Sequence, residues 1–156
     1  MVLNSSQESH PIFRAVFDAE DLDKKERQLA DDVAGQAARL RAFAKSDMLL
    51  EGAYGDSVLV ATQDEILCAE EGQVVRRLDL GTITKLRNEN YVGNGVLVAT
   101  GEDGRDVELI RYSRTAADAF EKVSEHLNDE LGLTDGEEDK RDKASRAADK
   151  ERTFSY

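Results

Sequence analysis

Residues 94–131 read NGVLVATGEDGRDVELIRYSRTAADAFEKVSEHLNDEL, and this stretch decides the fold class. Asn94-Gly95 and Asp103-Gly104 are hairpin dipeptides, because both central residues of a type I′ turn need positive φ. Residues 96–100 and 106–112 are short β-rich runs, the second with Val107 and Leu109 on one face. The period then changes. Ala116, Phe120, Val123, Leu127 and Leu131 recur at helical steps and form one apolar stripe. Thr115 and Asp118 have the spacing of a capping box, and Gly132 stands where a left-handed C-cap residue belongs.

The same punctuation continues upstream. Ser57-Val58-Leu59-Val60-Ala61-Thr62, then 65–70, 74–78 and 80–87, read as strands, broken at Gln63-Asp64 and Glu71-Gly72. Met48-Leu49-Leu50 is a shorter apolar run, stopped by Gly52 and Gly55. Roughly seven short strands closed by one helix predict an α+β fold, a small antiparallel β-barrel or sandwich. Phe120, Val123 and Leu127 are expected to plug its open end.

Before the strands the pattern is helical. Pro11 suits the first turn of a helix carrying Ile12, Phe13, Val16 and Phe17. Asp21 or Asp23 can cap a second helix reaching about residue 45, with the stripe Leu22, Leu29, Val33, Ala37, Leu40 and Phe43 or Ala44. That stripe either packs on its own domain or pairs with a partner or a second copy. The chain thus divides into a disordered N-terminus (1–10), a helical appendage (11–46), a β domain (47–133) and a charged tail or linker (134–156).

In its order of apolar positions and turns, 57–131 resembles bacterial PH-like (pleckstrin-homology superfold) domains. The resemblance is carried by 57–62, Ile66-Leu67, Leu78-Asp79-Leu80-Gly81-Thr82-Ile83-Thr84-Lys85-Leu86 and the closing Ala119-Phe120 helix. It implies a capped barrel that binds rather than transforms. Members self-assemble or attach to larger membrane or transport machinery. Phosphoinositide-binding members carry basic residues around the loop between their first two strands. Here that loop holds Glu51 and Asp56 and no Lys or Arg, so phosphoinositide recognition is not expected.

Composition narrows the function classes. The 156 residues carry a net charge of −12, which repels nucleic acid and anionic lipid outside a local basic patch. Lys85 and Arg87 share a strand face and are the candidate patch, with a solvated sheet face as the plainer account. Arg76 and Arg77 are adjacent on a strand and point to opposite faces. The first ten residues have neither a basic region nor an apolar stretch, so no secretory signal is expected. The lone Cys68 sits in an apolar run and reads as a small buried hydrophobe, in keeping with a cytoplasmic setting. His10 and His126 have no neighbour at metal-ligand spacing, and no dinucleotide, Walker or metalloprotease motif occurs.

No catalytic residue, metal or cofactor is therefore expected. The reading is a non-enzymatic protein-interaction or scaffolding module that takes a protein partner or forms a homo-oligomer. Its candidate surface comprises Leu29, Val33, Leu40, Phe43, Tyr54, Lys85, Arg87 and Tyr91. Two alternatives stay open: a cytosolic regulatory domain of a membrane transporter or similar machinery, and a peripheral membrane-binding domain acting through Lys85, Arg87 and Arg111.

Overall fold

The computed structural model describes residues 13–35 and 39–133. Seven strands form two antiparallel meanders. β1 (Ala42–Met48), β2 (Tyr54–Ala61), β3 (Glu65–Glu70) and β4 (Gln73–Asp79) make a four-stranded sheet. β5 (Ile83–Tyr91), β6 (Asn94–Gly101) and β7 (Asp106–Ser113) make a three-stranded one. Helix α1 (Lys24–Ala34) precedes the strands and helix α2 (Arg114–Glu130) follows them. The result is an α+β sandwich whose two sheets are joined by no strand pairing among the described residues.

Two apolar clusters explain the layers. Ala44, Leu59, Ile66 and Cys68 from the first sheet meet Leu86, Leu97 and Tyr112 from the second, and Phe120, Val123 and Leu127 of α2 close that core. On the outer side of the four-stranded sheet, Phe43, Val58, Val60, Leu67 and Ala69 pack under Leu22, Ala30 and Val33. This sheet is therefore covered on both faces, which is why β2 and β3 read as unbroken apolar runs instead of alternating ones.

The N-terminal region departs from its sequence reading. Of the two candidate caps, Asp23 starts α1, in a capping box with Glu26. It ends at Ala34, because Gly35 adopts φ +85° and turns the chain out of the helix. Leu40 lies between the helix and β1, and Phe43 and Ala44 point to opposite faces of β1. A strand rich in alanine had supplied false hits to a helical period. Phe13 to Phe17 forms no helix either. Val16 pairs antiparallel with Phe43 through two bonds of 2.8 Å, and so extends the sheet beyond β1. Most of the first strand of the sandwich, Ala42 to Ser46, thus lies inside the segment read as a helical appendage. Pro11, Ile12, Ala37, the polar N-terminus 1–10 and the tail 134–156 lie outside the described residues.

Two turn and cap readings also shift. The β5–β6 turn is Val92-Gly93, with Gly93 at φ +84°, while Asn94 and Gly95 already belong to β6. Gly95 is required for another reason. A Cβ there would stand 2.7 Å from the Tyr112 ring, which packs flat against Phe120 with 4.9 Å between centroids. At α2 the cap is Ser113, whose hydroxyl accepts from the Thr115 N–H at 3.2 Å. Asp47 on β1 receives the Ser113 N–H at 3.1 Å and its hydroxyl at 2.5 Å. One carboxylate thereby ties β1, β7 and the start of α2 together.

Candidate interaction surfaces

The outer face of the three-stranded sheet carries Lys85, Arg87, Glu89 and Tyr91 from β5, Val96 and Val98 from β6, and Asp106, Glu108 and Arg111 from β7. Val96 and Val98 are 0% and 1% exposed, roofed by the long polar side chains on either side. Arg87 binds Glu89 at 2.5 Å and Asp106 at 2.9 Å, and Asp106 also accepts from Thr100 at 2.8 Å. The Asp106 hydrogen bond is the main cause that raises the Arg87 pKa. In return, Arg87 holds the Asp106 and Glu89 carboxyls below their ordinary range. Lys85, Arg87 and Arg111 thus face Glu89, Asp106 and Glu108, and the charges on this face cancel.

Arg111 organises one end of the sandwich. Its Nε donates to the Leu50 carbonyl at 2.9 Å, its Nη1 to Asn94 Oδ1 at 2.6 Å, and its guanidinium lies 5.9 Å from the Tyr91 ring centroid. Tyr91 also donates to Glu89 at 2.9 Å, which pushes the phenol pKa up. The β1–β2 turn, at whose end Tyr54 is exposed, is pinned by carboxylates. Glu70 accepts from the Leu50 N–H at 2.7 Å and Glu71 from the Asp56 N–H at 2.8 Å. These internal acids occupy backbone donors that an anionic headgroup at this loop would need.

The eight candidate residues therefore separate. Val33, Leu40 and Phe43 are buried inside the chain, and Leu29 is half-buried beside them. Lys85, Arg87 and Tyr91 share the outer face of the second sheet, and Tyr54 stands at the end tied to that face through Arg111. Among the described residues no group of acidic, His or Cys side chains is placed to hold a metal ion, and no helix is long and apolar enough to cross a membrane.

An open sheet edge was among the expected binding features, but which edges are covered was not read from the sequence. β1 is covered by Val16 near its start and by β7 near its end, where Ser46 donates to the Arg111 carbonyl at 2.6 Å. β5 is covered by one side chain of α2. Asn128 Oδ1 accepts from the Leu86 N–H at 3.2 Å, and its Nδ2 donates to the Leu86 carbonyl at 2.9 Å. A carboxamide presents an acceptor oxygen beside a donor NH2, as a peptide group does, so it replaces a neighbouring strand at that point. Arg76 points inward from β4 and donates to the Glu108 carbonyl of β7 at 2.9 Å, bridging the sheets.

β4 itself ends its sheet, with no strand beside it among the described residues. Its register to β3 is continued past Asp79 by the Leu80 N–H bond to the Asp64 carbonyl. In an antiparallel ladder that bond fixes the alternation, so the peptide groups of Arg77 and Asp79 turn away from β3 toward the open side. Val74 and Val75 on this strand are 40% and 39% exposed. Among the described residues Arg77 is ion-paired to Glu65 alone, at 3.3 Å and well exposed.

No family model, no curated protein and no solved structure matches this chain. The functional reading therefore rests on its own geometry.

Proposed function

We propose that the chain is a non-enzymatic, PH-like interaction module that captures an extended segment of a partner protein as an added strand along β4. The observation that carries this reading is the uncovered edge of β4, with two exposed valines, in a molecule that covers β1 and β5. The order of four strands, three strands and a closing helix supports the PH-like assignment. A second copy is the poorer occupant. Two-fold antiparallel pairing centred on Arg77, whose peptide group faces the open side, would set Arg77 directly opposite the same residue of the second copy, like charge against like charge. A segment with an apolar residue beside Val74 and a carboxylate beside Arg77 fits both features. The neutralised second-sheet face and the carboxylate-pinned β1–β2 turn weigh against attachment to anionic membranes.

The test is selection of linear peptides displayed on phage, followed by hydrogen exchange on the complexes. Selected peptides should protect the Arg77 and Asp79 amides. They should also lose binding to Arg77→Pro, whose missing N–H faces the open side and costs no bond within the sheet. Protection elsewhere, equal binding to Arg77→Pro, or no enriched peptide would each overturn the assignment. Deleting 11–46 is not a usable control, because it removes Ala42 to Ser46 of β1.

A further inference from the structure

A second site lies on the opposite side of the four-stranded sheet, where α1 stops short of covering it. A cleft of about 550 Å³ opens there between Phe13 and Leu29 on one side and the outer faces of β1, β2 and β3. Its volume is within the roughly 300–1,000 Å³ of small-molecule sites. Val58 and Ala69 form an apolar floor. Ser46 and Ser57 also line the cleft, but both hydroxyl protons are committed, to the Arg111 carbonyl at 2.6 Å and the Met48 carbonyl at 2.8 Å.

Lys45 is the remaining side-chain donor. It is half-buried in the wall and has no hydrogen bond or ion pair among the described residues. Asp56 and Glu71 stand at the same cleft, and Glu71 is occupied by the Asp56 N–H at 2.8 Å. The ligand must therefore bring an acceptor with a single negative charge, since two nearby carboxylates disfavour a dianion such as a phosphate monoester. The rest of it must be apolar, to match Phe13, Leu29, Val58 and Ala69.

We infer that this cleft binds an amphipathic monocarboxylate, its carboxylate on Lys45 and its hydrocarbon chain over Val58 and Leu29. A lysine stem along an apolar floor, with its ammonium at the polar end, is the usual arrangement of such a side chain. The site is distinct from the β4 edge, and each fails or stands without the other.

The probe is sodium decanoate, titrated into the full chain by calorimetry, with 1-decanol as the uncharged control. The expected result is saturable uptake at one site, with decanol at least tenfold weaker. Lys45→Met, which keeps the stem and removes the charge, should weaken decanoate at least tenfold, and Lys45→Arg should retain it. Both variants should unfold at the same urea concentration as the parent, since Lys45 has no partner to lose. Absence of saturable uptake, equal uptake by Lys45→Met, or equal affinity for decanol would overturn the proposal. A shift of the Lys45 side-chain resonances on decanoate addition would support it independently of affinity.

Discussion

Asn128→Ala is the most direct test of how this molecule covers its edges. Among the described residues Asn128 alone satisfies both backbone groups of Leu86, at 3.2 Å and 2.9 Å, and Leu86 is buried. Truncation removes two hydrogen bonds and leaves an N–H and a C=O unpaired on β5. A typical bond is worth about 0.5–1.5 kcal/mol net, and a buried group left unpaired costs about 1–3 kcal/mol. Water can reach part of this edge, so the sum is about 2–4 kcal/mol. That is a large share of the roughly 5–15 kcal/mol expected of a domain. Urea unfolding should show a lower midpoint with an unchanged slope. Hydrogen exchange should show the Leu86 amide losing protection beyond the global loss. Asn128→Asp keeps the acceptor for the Leu86 N–H but sets oxygen against the Leu86 carbonyl, so it should not rescue stability. A cost below about 0.5 kcal/mol, with Leu86 still protected, would refute the idea that one carboxamide stands in for a strand.

Gly95→Ala should destabilise by about 1–3 kcal/mol through overpacking against Tyr112 and should alter the near-ultraviolet tyrosine signal, measured by circular dichroism. Cys68 is buried and burial pushes its thiol pKa up, so an aromatic disulfide reagent should label it only at the rate of unfolding. The Arg87 cluster should lend stability that is present at neutral pH. Because Asp106 and Glu89 titrate lower when folded, that stability should fade as pH drops below the ordinary carboxylate range near about 4. Urea midpoints for the parent and Arg87→Met should therefore differ slightly at pH 7, by up to about 1 kcal/mol for so exposed a cluster, and converge in acid.

What was legible in the sequence was whatever one local pattern could carry. The closing helix was read from a single stripe, and Phe120, Val123 and Leu127 do enter the core. Glu71-Gly72 marked a true two-residue turn, with both residues at positive φ. The failures share a cause. Phe43 and Ala44 fit a helical stripe because β1 carries alanines on its inner side, where two sheets approach closely. Gly95 fitted a turn signal, yet its smallness serves the Tyr112 ring, a neighbour seventeen positions away in the chain. Asp47, Asn88 and Asn128 gave no signal at all. Asn88 donates to Tyr112 at 2.9 Å and accepts from Ser124 at 2.5 Å, a network that exists only once β5, β7 and α2 have met. Polar residues of this kind are invisible to periodicity, because their role is fixed by partners far away in sequence.

The covered edges give the open one its meaning. An exposed strand edge is a hazard for any soluble chain, and the usual remedies are a charge, a proline, a bulge or a covering element. This molecule covers β1 with Val16 and β7, and β5 with Asn128. On β4 it applies only part of the remedy. A register shift in the β3–β4 ladder and two arginines are present, but Val74 and Val75 remain exposed beside the turn. Arg76 is drawn inward to the Glu108 carbonyl, which leaves Arg77 as the only cation on the outer side of the strand. An edge guarded against its own copy by like charge, yet left apolar at its start, discriminates among partners instead of refusing all of them. If Val74→Lys and Val75→Lys left peptide capture intact, the valines would be idle surface and the edge would have to be sought elsewhere.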